Sequence, residues 1–187
     1  MTDQDIRKEY EDNHLDKIKE MIVKQQIDPF IHIIAREKDE EKPIILHVPI
    51  PASSDMDKEL FVRHGFPQLK EEIKKNNFEV IFITFTTEAW IRKLDKDKPI
   101  PENYKEIPPD EVLFISYSSA DEESVKVYDI IRDEFEVNDK GELIDKTYEV
   151  EINGEMYKKV EVKLNEELSV AQSGAEGKFS NLFKQLT

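Results

Sequence analysis

Residues 78–94 read FEVIFITFTTEAWIRKL, and the opening of this run constrains the chain more than any other stretch. Phe78, Val80, Ile81, Phe82 and Ile83 fall on both parities, so an extended backbone here would be apolar on both faces. Such a strand belongs inside a sheet that is covered on each side. A buried helix can carry the same run, but the short length and the β-branched and aromatic content favour a strand. The remaining segments then read as material to pair with it or pack on it.

Upstream, residues 4–26 have the spacing of an amphipathic helix. Ile6, Tyr10, His14, Ile18 and Ile22 recur at i, i+4, and Leu15 and Met21 widen the stripe. Asp3 and Asp5 suit its positive end. His14 is expected at the boundary of the buried face. Asp28-Pro29 closes this element. FIHIIAR (30–36) and PIILHVPI (43–50), separated by the charged turn EKDEEK, read as a β-hairpin. A turn centred between Asp39 and Glu40 sets Ile31 opposite Val48, Ile33 opposite Leu46 and Ala35 opposite Ile44, giving one apolar face. The other face then pairs Phe30 with Pro49, His32 with His47, and Ile34 with Ile45. A slip of one residue would scramble both sets.

That register makes His32 and His47 the most specific polar pair in the chain. Side chains directly opposite each other lie close enough for two imidazoles to share a divalent metal such as zinc. A third ligand is sought at His64, Glu88 or a loop aspartate. No HxH or HExxH spacing occurs, and the competing reading is two strand histidines that hydrogen-bond to neighbours. Residues 54–76 read as two helices. Ser54 caps the first, Met56, Leu60 and His64 share a face, Gly65 is expected to stop it, and Pro67 opens the second.

Beyond Thr84 the central strand turns polar, and Trp90, the single tryptophan, is expected to cap one end of the core. Residues 95–111 are rich in proline and charge and read as an irregular excursion. Residues 111–124 start as a strand, apolar from Val112 to Ile115, and end in a serine-rich acidic turn, and 124–137 read as a further strand. Asn153-Gly154 joins two more in a tight hairpin that pairs Val150 with Tyr157 and Glu149 with Lys158. Residues 169–178 are small, polar and glycine-containing, a linker composition. Phe179, Leu182, Phe183 and Leu186 then fall at i, i+3, i+4 and i+7, a helical stripe that must dock on its own body, a second copy or a protein partner.

The chain has 187 residues, and its 27 Lys and Arg stand against 42 Asp and Glu, a formal net charge of -15. That balance disfavours a phosphate-binding surface, so nucleic acid is not an expected partner. The acidity suits a well-solvated surface, a basic partner or mimicry of nucleic acid. Cysteine is absent, which removes disulfides and thiolate chemistry. No apolar run is long enough to cross a bilayer, and a cytoplasmic location is expected. Glycine-rich phosphate loops, GxSxG and SxxK are missing. Ser118 to Asp121 fits SxxD of a JAB-type metalloprotease, but the zinc-binding HxH is absent.

The passage from Glu88-Ala89-Trp90 through a proline-rich loop to Pro109-Asp110-Glu111-Val112-Leu113 resembles a loose set of uncharacterised prokaryotic and phage-borne proteins. In those a strand ends in E-A-W and the next begins after a Pro-Asp-Arg-like turn; here the arginine is missing. The resemblance spans residues 28–135 and implies a similar fold and no activity. The expectation is an α+β domain over residues 1–168: a mainly antiparallel sheet of about six or seven strands with the N-terminal helix and the 54–76 segment packed on it. Residues 169–187 would add a linker and a docking helix. A non-enzymatic interaction module acting through the acidic surface and that helix is the leading functional expectation. A metal-dependent, hydrolase-like site on His32 and His47 is the alternative.

Overall fold

A computed structural model describes residues 2–24, 26–37, 40, 42–51, 54–93, 99–132, 136–137, 140, 143–144, 149–158, 160–165 and 181–187. Helix α1 spans Asp3–Lys24. Its start is a reciprocal cap: Thr2 Oγ1 accepts from the Asp5 N–H at 3.2 Å, and Asp5 Oδ2 accepts from the Thr2 N–H at 2.9 Å. Strands β1 (Phe30–Glu37) and β2 (Ile44–Pro49) form the hairpin in the expected register, His32 opposite His47. The Ile50 N–H bonds the Pro29 carbonyl at 2.9 Å. By alternation, residues 44, 46 and 48 bond toward β1, while 45, 47 and 49 turn their backbone groups outward. Pro49, which has no N–H to give, therefore sits where none is needed.

The segment over 55–75 departs from expectation. Helix α2 (Asp55–Leu60) runs through a π-turn (Phe61–Gly65) into α3 (Phe66–Lys75) without a stop. Gly65 keeps right-handed helical angles, φ -71 and ψ -43, and the Phe66 N–H reaches back to the Phe61 carbonyl. A Cβ on Gly65 would stand 3.0 Å from the Phe61 ring, so glycine here admits an aromatic neighbour and does not end a helix. The face carrying Met56, Leu60 and His64 is exposed; Phe66 and Ile73 turn inward.

Strand β3 (Phe78–Ile91) lies inside an antiparallel six-stranded sheet of order β10-β5-β4-β3-β1-β2, with β4 at Asp110–Ser118, β5 at Glu123–Arg132 and β10 at Val160–Leu164. Two short ribbons accompany it: β6 (Glu136–Val137) with β7 (Leu143–Ile144), and β8 (Glu149–Ile152) with β9 (Glu155–Lys158). The last turns through Asn153 and Gly154, φ 54 and 82, and pairs Val150 with Tyr157. The fold is thus α+β, as its patterning implied.

The sheet carries a main core on each face, with a third, smaller cluster around Val112, Val125 and Val127. On one face, α1 lays Ile6, Tyr10, Ile18 and Ile22 over Phe30, Ile34, Phe82, Leu113 and Ile115. On the other, α3 and helix α4 (Leu182–Leu186) cover Ile31, Ile33 and Ile83. Pairing of β1 with β3 skips a residue, since Ile34 faces Phe82 and Ala35 faces Val80. Ile81 is the extra position. Because of it, Phe78 and Val80 join the α3 side while Phe82 and Thr84 serve the α1 side. Ion pairs tie down the N-terminal half of α1: Arg36 to Asp3, Arg7 to Glu122, and Lys126 to Glu11.

Candidate functional site

Helix α1 runs antiparallel to β1, so successive turns of its stripe meet successive inward residues of the sheet. Tyr10 reaches His32 and Thr84, and one turn later His14 reaches Thr86 and Phe30. The result is a continuous polar chain. His47 Nδ1 and His32 Nε2 are 2.8 Å apart, His32 Nδ1 and Tyr10 Oη 2.7 Å, and Tyr10 Oη and Thr84 Oγ1 2.9 Å. His32 and His47 form a pair whose backbone groups do not bond each other, the arrangement that brings side chains closest. His14 stacks on Tyr10 with ring centroids 4.7 Å apart, and its Nε2 lies 3.3 Å from Thr86 Oγ1.

Burial decides the protonation states. The pKa of His14 is lowered to about 4, by desolvation first and then by Lys17 and His47. That of His32 falls to about 3 through desolvation, His14 and His47. Desolvation drives the Tyr10 phenol up. Both imidazoles and the phenol are therefore neutral at pH 7.

Helix α1 leaves the outer strand β2 uncovered, and between them opens a cleft of about 680 Å³. Ile6, Tyr10 and His14 form its helix wall, His32 and Ile34 its floor, and Ile45 and Pro43 the far side. Ile45 keeps 53% of its surface exposed, whereas His14 keeps 5%. Lys17, Asn13, Glu9 and Lys42 stand around the rim.

The residues singled out in the sequence do not all meet here. His32 and His47 are together, but His64 is exposed on the α2–α3 segment, against the opposite face of the sheet. Glu88 shares the α1 face yet lies farther along β3. Its Oε1 accepts from the Ile27 N–H at 2.9 Å, and Oε2, buried, has no hydrogen-bond partner among the described residues and lies 3.6 Å from Arg132. Neither supplies a third ligand to the histidine pair. Among the described residues no cluster of three or more His, Cys, Asp or Glu is placed to hold a metal.

Other expectations are corrected. His14 is a core residue, because Tyr10 and Thr86 give its ring a partner inside the sheet. Trp90 is 60% exposed and caps nothing; it falls one step past Glu88, beyond the reach of the segment that follows α1. Of the placements open to the C-terminal stripe, its described part takes the chain's own body. Leu182 and Leu186 are fully buried beside Ile73 and Ile83, Phe183 is half-buried, and Phe179 lies outside the described residues, as does the 169–178 linker. Tyr10, Thr84 and Thr86 escaped sequence reading. Their signal was polar tips at i, i+4 on an otherwise isoleucine stripe, facing threonines on the inward parity of β3.

No protein-family profile, curated protein or solved structure matches this chain.

Proposed function

We propose that the chain is a non-enzymatic binding module acting in the cytoplasm, and that its contact site is the cleft between α1 and the β1–β2 hairpin. One observation carries this reading: the cleft joins an apolar wall to Tyr10, His14 and His32, each held by a fixed neighbour. Recognition pockets have this build, and its volume falls within their range of roughly 300–1,000 Å³. Catalysis is disfavoured because a general acid or base should titrate near the working pH, and burial holds His14 and His32 well below it. The C-terminal stripe is the weaker contact site, since a partner would first have to unseat Leu182 and Leu186 from the core. Ligand-observed NMR with a fragment library tests the reading. Hits should be lost on Ile45→Arg, which fills the cleft from an exposed position; hits that survive the substitution unchanged would remove it.

A second reading, a divalent metal on His32 and His47, is favoured by their 2.8 Å nitrogen separation. Nitrogens on a tetrahedral zinc, each at about 2.0–2.1 Å, lie roughly 3.4 Å apart, so the pair need open by only about half an ångström. Tyr10 would orient the far nitrogen of His32 as metal-binding imidazoles require. Titration with Co²⁺ and Zn²⁺ should give a one-to-one complex abolished by His47→Ala and kept by His64→Ala. Equal uptake by wild type and His47→Ala ends this reading.

A further inference from the structure

The cleft is polarised along its length, and the register says how. Because α1 runs antiparallel to β1, Ile6 lies over the Ile34–Ile45 pair at one end, with Pro43 beside it. At the other end are Asn13, His14 and Lys17, a single turn of the same helix. His14 is 5% exposed, its Nε2 is engaged by Thr86, and its Nδ1 has no hydrogen-bond partner among the described residues. The nitrogen is not shut away among the buried unpaired atoms, so it opens onto the cleft, where a ligand's acceptor can replace water as its partner. Lys17, one turn on, is exposed and has no ion pair among the described residues. On a chain of net charge -15, an uncompensated ammonium beside a free imidazole nitrogen is a local reversal of sign.

Resting on the cleft as the binding site, we propose that its ligand is a small amphipathic carboxylate. The carboxylate accepts from His14 Nδ1–H and from Lys17 Nζ, and an aliphatic or aromatic body lies over Ile6, Ile34 and Ile45. In this arrangement Thr86 donates its hydroxyl proton to His14 Nε2, which fixes the tautomer with the proton on Nδ1. The ligand's anion needs no cationic imidazole: Lys17 supplies the charge and His14 the direction. A neutral ligand would leave the ammonium unused, and a cationic one would meet it in repulsion.

The test uses the whole chain with octanoate, octan-1-ol and octylamine, following the Ile6, Ile34 and Ile45 methyl signals and the heat of binding. Octanoate should shift all of these methyls saturably and bind at least about tenfold more tightly than the alcohol or the amine. Lys17→Glu should remove that preference, whereas Lys8→Glu, the same charge change on the same helix away from the cleft, should keep it. Ile45→Asp, at an exposed position that does not threaten folding, should weaken octanoate without restoring the alcohol. If octanol matches octanoate at these methyls, the carboxylate is overturned while the cleft remains a binding site. If none of the probes moves them, the ligand class is overturned, and the fragment experiment decides separately on the cleft.

Discussion

The Tyr10 phenol oxygen lies 2.7 Å from Nδ1 of His32, and this contact pins helix α1 to the hairpin. The same oxygen is 2.9 Å from Thr84, so a single side chain joins the helix to neighbouring strands. Tyr10→Phe keeps the ring and its packing but strands a nitrogen and a hydroxyl in the core. It should cost about 1–3 kcal/mol, measured by urea denaturation. Thr84→Val should cost less when added to Tyr10→Phe than when made alone. Additive losses would mean that the three groups do not act together.

The lowered pKa values of His14 and His32 fix the acid limb of stability. Each takes up a proton near 6.5 when unfolded but only near 4 and 3 when folded. Between these values the unfolded chain binds more protons, so stability is full above about pH 6.5 and is lost as pH falls. For His14, which faces Tyr10, His32, Lys17 and Thr86, the loss from pH 7 to pH 4 should be about 2–3 kcal/mol. Urea midpoints across that range check the sign; a flat profile in wild type would contradict it.

Glu88 works in the opposite direction. Its side chain is 1% exposed, and desolvation raises its pKa despite the Ile27 N–H and Arg132. Above its ordinary pKa the unfolded chain ionises freely while the folded chain resists, so this carboxyl weakens the fold as pH rises. Glu88→Gln keeps an acceptor for the Ile27 N–H and should raise the melting temperature at pH 7 by a few degrees, on the order of 1 kcal/mol. The gain should shrink toward pH 4.5.

Leu182 and Leu186 complete the core beside Ile73 and Ile83. Leu186→Ala should cost about 2–5 kcal/mol. Removing residues 181–187 should uncover Ile31, Ile33 and Ile83 and cause self-association, visible by light scattering. A truncated chain that stays monomeric and equally stable would show that α4 contributes nothing.

Trp90 offers a simple optical check. With most of its indole hydrated, the native protein should emit like an exposed tryptophan, be quenched readily by acrylamide, and shift little on unfolding. A blue-shifted, protected emission would place this ring against a partner or a second copy.

The hairpin register, the inward run of β3 and the Asn-Gly turn were legible because local alternation and turn chemistry decide them. Gly65 misled because glycine marks either a helix end or a close aromatic neighbour, and only the position of Phe61 tells which. Trp90 misled because burial at a strand end depends on how far the covering helix reaches. The His14 environment was hidden for a related reason: its partners, Thr86 and Tyr10, meet only once α1 is laid antiparallel on β1. Of the histidine site, the His32–His47 pair could be read from spacing, whereas the cleft beside it is created by the width α1 fails to cover.

The additional residue at Ile81 has a practical consequence for altering this chain. Ahead of it, side chains serve one layer; after it, the same parity serves the other. Shortening the strand by this one position would send Phe78 and Val80 toward α1 and take two side chains from the surface on which α3 packs. Conservative replacement at Ile81 is therefore tolerable where deletion is not, and any graft or loop transplant into this protein must preserve residue count between Asn77 and Phe82.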